Sequence, residues 1–576
     1  MSKEWKLRDQ EGELPESLTG FGLLLGNLMI DRGVIETDEI NKFLKPAYEH
    51  LLDPHLFVEM NKAVNRIWKA IQNQEKIVVF GDYDADAVTA NAVLQHTFRY
   101  LGVDSQSYIP DRFAEGYGLN LEAFEKFKSE GVNLVITVDC GTNSVEVADF
   151  CCRNGIDLVI TDHHEITGDI PKAYALINPK NPKETYPEKQ ITGVGVAFKL
   201  VQGLLGQTEK VERRLSEHGK SYVVGWEKWL LDLVAIGTVA DCHSLMGENR
   251  ILVTYGLKVL SKTRWLGLRL LMEEAGVDLK TIDTMTLGFV LAPRINAAGR
   301  LEHANIALSL LTSEDFEEAV NLAKQLQTIN TRRQDLTARM VSEAKEHAIL
   351  QANRPVLVLA DKGWSKGVVG LVAGRLTDSY ARPVIALEQG DVESTGSVRG
   401  FADFDVIEML KDASDVLLRF GGHKQAAGLT LLTANLPQFK KLIWEHAEIA
   451  LKERPLVDQL LLDFELRVED LKPETIELIN LLEPYGFGNP RPKFLLRSVK
   501  VNRLKAVGEG GKHIQMTILK ENIAMDTITF NQPFLAQAIQ VGDIIHIAGE
   551  LQLNNWGGRK KLKMRVIDVK KGEEEI

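Results

Sequence analysis

The chain has 576 residues, 44% of them hydrophobic and 26% charged, with a formal net charge of -12 at pH 7. That length suggests about three or four domains, and the acidic balance weighs against a surface that grips duplex nucleic acid everywhere, while leaving room for a local basic channel. There is no long apolar run, the charged start has no apolar core behind it, and Cys140, Cys151, Cys152 and Cys242 form no C-x-x-C pair. These features argue against a membrane span, a signal peptide and a disulfide scaffold, and make a reducing cytoplasm the simple expectation.

Residues 1–70 read as a helical extension, with short helices over 23–32 and 37–44 and breaks at Pro46 and Pro54. From about 73 to 245 strand and helix alternate. The spacing predicts strands at 77–80, 107–110, 134–138 and 158–161 and helices at 88–101, 121–130 and 145–154. Such a βαβ rhythm implies a mostly parallel sheet covered on both faces. A further apolar run, 231–237, leads towards Asp241. Residues 314–350 contain neither Gly nor Pro and predict a long helix that bridges two globular regions. A second α/β pattern starts with a strand at 355–360, continues with a helix at 368–380 and a strand at 383–387, and runs to about 450. Beyond 455 come short β-rich runs at 493–501, 513–519, 526–530, 544–551 and 562–569. Five such strands fit a small barrel of the OB type, a common holder of single-stranded nucleic acid.

The chemistry concentrates at segment ends. The first strand runs into G-D-Y-D-A-D, placing Asp82, Asp84 and Asp86 within five residues; the others lead to Asp139, to Asp162, His163 and His164, and to Asp241. Ligands bind at the carboxyl ends of parallel strands. One aspartate there is usually a helix cap, but four such ends in one domain suit divalent metals. Carboxylates suit Mg²⁺ and carboxylates with imidazoles suit Mn²⁺. Two ions about 3.5–4 Å apart can clamp the attacking and leaving oxygens of a phosphate ester, with a bridging water as nucleophile. Asp82 sits one residue too early for the D-x-D pair and reads, with Asp162, as a supporting residue.

Phosphate-binding candidates lie further on. P-R-I-N-A-A-G-R supplies Arg294, Asn296 and Arg300 in what reads as a polar break between helices. G-S-V-R supplies Ser397 and Arg399, and R-F-G-G-H-K-Q-A-A-G supplies Gly422, His423 and Lys424, where glycines allow backbone to approach an anion. In the last region Trp556 stands beside Arg559, Lys560 and Lys561, an aromatic with cations that suits stacking plus backbone attraction.

The ordered set G-D-Y-D-A-D, Y-I-P-D-R-F-A-E-G-Y-G-L, V-D-C-G, T-D-H-H-E, G-T-V-A-D, P-R-I-N-A-A-G-R-L, G-G-H-K-Q-A-A-G and Y-G-F-G-N-P-R-P-K-F spans residues 81 to 494 and resembles the RecJ family of the DHH phosphoesterase superfamily. The resemblance implies a multidomain α/β protein: an extension over 1–70, a parallel-sheet DHH domain over 71–250, a helical region with a long connecting helix over 251–350, a DHH-associated α/β domain over 351–452 and an OB-like barrel over 453–576. It implies a 5′→3′ exonuclease that degrades single-stranded DNA to mononucleotides with two Mn²⁺ or Mg²⁺ ions. Asp84, Asp86, Asp139, His163 and Asp241 would be metal ligands, His164 a supporting or phosphate-contacting neighbour, and Arg294, Arg399 and His423 holders of DNA phosphates. A single-strand-binding protein or helicase is the protein partner to expect, and a monomer the oligomeric state.

Departures at three places stand out. The family usually has Gly and Ser where this chain has Ala87 and Ala90, His and Glu where it has Ser365 and Lys366, and apolar residues with Pro where it has Cys242, His243 and Ser244. No expected metal ligand is lost, so an active nuclease with altered rate or substrate handling is expected, and the departures fit a divergent or mobile-element-borne paralogue. The rival readings are a DHH phosphodiesterase for short RNA or cyclic dinucleotides, a manganese pyrophosphatase, and a catalytically weakened replication or repair scaffold.

Overall fold

A computed structural model describes residues 3–10, 12–116, 118–453, 455–556 and 559–572; the side chains of residues 453, 554–556 and 559–560 lie outside that description. The chain forms two compact units. One comprises Glu11–Asn330 and Glu474–Pro492, and the other Met1–Gln10, Thr331–Pro473 and Lys493–Ile576. The start is not all helical: β1 (Glu4–Leu7) is a strand.

The first unit is built on five parallel strands, β2 (Ile77–Gly81), β3 (Ser105–Tyr108), β4 (Leu134–Val138), β5 (Asp157–Thr161) and β6 (Ala175–Ile177), in the order β3-β2-β4-β5-β6. All five residues of β2 are buried and contribute to both faces. Ile77 and Val79 enter the larger core, against helices Met60–Asn73, Ala85–Tyr100 and Gly193–Leu205, while Val78 and Phe80 join Phe124 and Phe127 on the other. This is why the strand reads as an unbroken apolar run rather than an alternating one. The chain leaves β2 for β3 on one side and then crosses to β4 on the other. That reversal opens a crevice at the carboxyl ends of β2 and β4, the usual ligand position in such sheets.

Two local expectations are corrected. The run leading to Asp241 is no strand. Leu231–Ala240 is a helix, buried on nearly every side, so it lacks the amphipathic period that marks surface helices. The P-R-I-N-A-A-G-R segment is no break either. It lies in helix Ala292–Leu301, with Pro293 in the first turn where its missing N–H costs nothing, directly after a π-helical turn, Thr286–Leu291.

In the second unit β7 (Leu357–Asp361), β8 (Val384–Gln389), β9 (Glu393–Arg399), β10 (Leu417–His423) and β11 (Ala426–Leu432) form a mixed sheet in the order β10-β11-β9-β8-β7. β12 (Gln459–Leu462) pairs in parallel with β1. β13 (Phe464–Glu465), β14 (Phe494–Val507), β15 (His513–Lys520), β16 (Ile523–Thr529), β17 (Ile544–Trp556) and β18 (Arg559–Lys571) make the last sheet, and pairing of β14 with β17 closes it into a barrel. Helix Phe316–Ile349 carries the chain from one unit to the other. Among the described residues, no helix is long and apolar enough to cross a membrane.

Candidate metal centre

The centre grows out of the ends of β2, β4 and β5 and one helix end. Asp84 caps the helix after β2, its Oδ1 accepting from the N–H groups of Asp86 (2.9 Å) and Ala87 (3.1 Å). Ala87 sits in the first turn of that helix, which starts at Ala85. Asp86, in the same turn, accepts from Gly193 N–H (2.8 Å) and Val194 N–H (2.9 Å), so it also closes the N-terminus of helix Gly193–Leu205, where the helix dipole favours an anion. Asp139 follows β4 in a left-handed conformation, φ 58°, a strained choice for a residue with a side chain. Its Oδ1 has no hydrogen-bond partner although buried.

His163 Nε2 lies 2.9 Å from Asp139 Oδ1, 3.6 Å from Asp241 Oδ2 and 3.9 Å from Asp86 Oδ2. Neither of its ring nitrogens has a hydrogen-bond partner. Asp162 is spent locally. Its Oδ1 accepts from the N–H groups of His163 (2.7 Å) and His164 (3.2 Å) and pairs with His164 Nδ1 (2.8 Å), and its Oδ2 accepts from Thr142 N–H (2.9 Å). Asp82 is buried with an unpartnered Oδ1. Asp241 caps the end of helix Leu231–Ala240. The acidic and histidine residues read from the strand ends are therefore brought together, with Asp241 arriving from a helix.

The electrostatics are those of an anion cluster in want of positive charge. Burial, then the neighbouring carboxylates, push Asp86 and Asp139 well above the usual carboxylate range; Asp84 is also raised, by burial and by Asp241. Burial pushes the His163 imidazole down to about 3. For His164 burial acts downward, but the hydrogen bond and charge of Asp162 win and lift it to about 9. Burial would raise Asp162 too, yet the hydrogen bond and charge of His164 hold it below its ordinary value. Removing several carboxylates from water without a counter-charge is costly. Buried carboxylate oxygens and an unpartnered imidazole form a donor set that fits divalent cations. Among the described residues, two groups are close enough to share one: Asp139, His163 and His164, and His163, Asp241 and His243, each with ligand atoms within 4.8 Å of one another.

Some contributors carry little sequence signal. A Cβ on Gly193 would stand 2.5 Å from Asp139 Oδ1, and one on Gly237 2.8 Å from Asp86 Oδ1, so both glycines make room for carboxylates. Asn178, at the end of β6, donates to His164 O (2.9 Å) and Thr142 Oγ1 (2.8 Å). Arg112 lies over the Tyr83 ring, 4.8 Å from its centroid. His243 was visible only as an oddity of the D-C-H-S run.

The phosphate candidates fall in different places. Asn296 Oδ1 accepts from Ala85 N–H. Arg294 donates to Gln327 Oε1 (2.8 Å) and Val290 O (2.6 Å), and Arg300 lies in the last turn of its helix. In the second unit, register aligns His423 with Ala426 and Ala426 with Arg399, which gathers G-S-V-R and G-G-H-K at one end of the sheet. Arg399 Nη1 donates to Ser397 Oγ (2.8 Å), and Gly422 is left-handed where a Cβ would meet Ala426 O at 2.3 Å. His423 ends β10 and Lys424 opens the two-residue turn into β11, and both are exposed. Trp556 and Arg559 pair across β17 and β18, as do Asn555 and Lys560 and Asn554 and Lys561. Lys561 is exposed; the side chains of Trp556, Arg559 and Lys560 lie outside the described residues.

A parallel sheet with D-x-D, D and D-H-H groups around its switch point defines a DHH phosphoesterase. Three family models match the chain in order: the DHH family N-terminal domain at residues 76–238, the DHHA1 domain at 353–448 and the RecJ OB domain at 462–568. The single-stranded-DNA-specific exonuclease RecJ of Bacillus subtilis is 38% identical over 98% of this chain and 70% of its own length, and that of Haemophilus influenzae 32% identical over 94% and 95%. The crystal structure of RecJ in complex with Mn²⁺ from Thermus thermophilus superposes with a TM-score of 0.82 at 30% identity, over 99% of this chain and 80% of that one. The chain belongs to the RecJ family of single-stranded-DNA exonucleases within the DHH phosphoesterases.

Proposed function

We propose that the chain removes mononucleotides from the 5′ end of single-stranded DNA using two divalent cations, Mn²⁺ or Mg²⁺. The observation that carries the reading is His163, a buried imidazole with both nitrogens unpartnered, set among the carboxylates of Asp86, Asp139 and Asp241. Asp84, Asp86, Asp139, His163 and Asp241 would hold the ions. When bound, these would offset the buried negative charge, attract a phosphodiester and acidify the attacking water.

The residues around them do the rest. Asp139 lies nearest His163 and is our choice for the carboxylate shared by both ions. Asp162 orients His164 through Nδ1, and His164 is the group we assign to a phosphate oxygen. Asp82 supports the turn between β2 and Asp84. Arg294, Asn296 and Arg300 in one unit, and Ser397, Arg399, Gly422, His423 and Lys424 in the other, are assigned to the DNA strand and its phosphates. Trp556, Arg559, Lys560 and Lys561 are assigned to stacking and backbone attraction on the barrel. A reducing cytoplasmic setting fits the four unpaired cysteines. Action as a monomer, with a single-strand-binding protein or helicase supplying substrate, completes the proposal.

A product time course tests it. Labelled mononucleotide should appear early from 5′-labelled single strands with Mn²⁺, and not from duplex DNA. Cleavage confined to dinucleotides or cyclic dinucleotides would favour a small-substrate phosphodiesterase, and no cleavage a scaffold.

A further inference from the structure

His243 stands outside the acidic set assigned above. It follows Asp241 by two residues, with Cys242 between them in a left-handed conformation, φ 55°. Its Nδ1 lies 3.0 Å from the carbonyl oxygen of Gln190. A carbonyl oxygen only accepts, so Nδ1 carries the hydrogen. In the neutral ring Nε2 then presents a lone pair, and it does so 3.1 Å from Asp241 Oδ2, another acceptor. The ring centroid is 4.8 Å from that of His163, whose Nε2 lies 3.6 Å from the same Oδ2 and has no hydrogen-bond partner. One atom able to ligate a metal on each of His163, Asp241 and His243 thus lies within 4.8 Å of the other two. A ring N–H resting on a backbone carbonyl is the outer hydrogen bond by which a metal-ligating histidine is usually oriented.

We propose that His243 Nε2 is an additional ligand of one of the two cations, beside Asp241 and His163, so that this position presents two imidazoles and takes a first-row transition ion such as Mn²⁺ in preference to Mg²⁺. The proposal rests on the metal reading given above and adds a ligand and a metal preference to it. All-oxygen surroundings suit Mg²⁺, whereas each imidazole added shifts preference towards transition ions. The side chain is partly buried and its tautomer is fixed by Gln190, so little ordering remains to be done when an ion arrives.

The test uses the full-length chain stripped by a chelator, then titrated with Mn²⁺ or Mg²⁺ by calorimetry, with the nitrogen atoms bound to Mn²⁺ counted by pulsed electron paramagnetic resonance. The unsubstituted chain should show one Mn²⁺ coupled to two imidazole nitrogens. H243Q keeps a donor for Gln190 O but offers no imidazole. It should lose one nitrogen coupling and weaken that Mn²⁺ by at least the about 10- to 100-fold that loss of an outer-shell partner costs, with Mg²⁺ affinity unchanged and a thermal transition like that of the parent. Equal Mn²⁺ affinity and an unchanged nitrogen count in H243Q would overturn the proposal, as expected if a second ring proton fills the gap beside Asp241. The count in the unsubstituted chain decides even if the variant does not fold, because a single imidazole at each Mn²⁺ also overturns it. A folded parent that binds no Mn²⁺ at all would instead remove the metal reading itself, and this proposal with it.

Discussion

Asn296 Oδ1 accepts a hydrogen bond from the Ala85 N–H at 2.8 Å, across 211 residues of sequence. Ala85 opens the helix after β2, and its N–H has no partner within that helix. A residue read from the sequence as a phosphate contact is thus tied to the turn that presents Asp84 and Asp86. N296A should cost about 1–3 kcal/mol by leaving that N–H unsatisfied, and should weaken Mn²⁺ binding because the D-A-D turn loses its anchor. Calorimetric titration with Mn²⁺ alongside urea unfolding checks both effects.

Gly193 and Gly237 should tolerate no side chain. G193A drives a methyl into Asp139 Oδ1, and G237A drives one into Asp86 Oδ1 and into Thr89 Oγ1, 2.4 Å away. Each should lose about 1–3 kcal/mol of stability and most metal binding. Gly374 is the control: it lies inside helix Val369–Tyr380 with nothing within 4 Å of a built Cβ. G374A should gain about 0.5–1 kcal/mol and leave nuclease activity unchanged.

Metal and acidic cluster should trade stability. Because burial and mutual repulsion raise Asp84, Asp86 and Asp139, the metal-free protein should lose stability as pH rises above the ordinary carboxylate range. Mn²⁺ at about 100 times its dissociation constant should restore about 2.7 kcal/mol. D139N should remain folded, lose hydrolysis, be at least as stable as the parent without metal, and respond much less to Mn²⁺. Thermal scans with and without chelator, and a 5′-labelled single-strand assay, read these outcomes.

Asp232 and His96 flank Trp265 and should give opposite pH slopes. Asp232 is buried, accepts from Thr263 Oγ1 (2.6 Å) and Trp265 Nε1 (3.1 Å), and is raised by burial from 3.8 to about 7. Its folded form holds a proton that the unfolded chain has released, so its contribution is present below pH 3.8 and is lost as pH rises towards 7. His96 stacks on Trp265 with centroids 3.7 Å apart, bonds Leu311 O, and is lowered by burial from 6.5 to about 3. Its contribution is present above 6.5 and is lost as pH falls towards 3. D232N should therefore gain on the parent by about 1 kcal/mol per pH unit between pH 5 and 7. H96Q should gain on it as pH falls from 6 to 4. Urea unfolding at several pH values measures both, and pH-independent differences would contradict them.

Much of the fold was readable because local chemistry sufficed. Helices Thr37–Leu44 and Val145–Asn154 and strand Leu134–Val138 have the bounds that periodicity predicts. The long helix was legible from the absence of breakers, and the closed barrel from five short β-rich runs. Errors arose where burial removed the pattern. Leu231–Ala240 is apolar all round and imitates a core strand, and Pro293 mimics a break that its first-turn position makes harmless.

For the candidate centre, the sequence by itself determined which side chains carry the charge: the aspartates after β2 and β4 and the D-H-H run after β5, each set by the strand it ends. Only the tertiary structure decided that Asp241 joins them from a helix end, that Gly193 and Gly237 leave room for Asp139 and Asp86, that Asn296 anchors the Ala85 turn, and that His243 turns its Nε2 to Asp241. The physical reason is packing between distant segments. A cap or a strand end is settled by neighbours a few residues away, whereas Asn296 reaches Ala85 across 211 residues, the two glycines meet their aspartates from other elements, and the placement of Asp241 and His243 follows from a helix direction that packing alone selects.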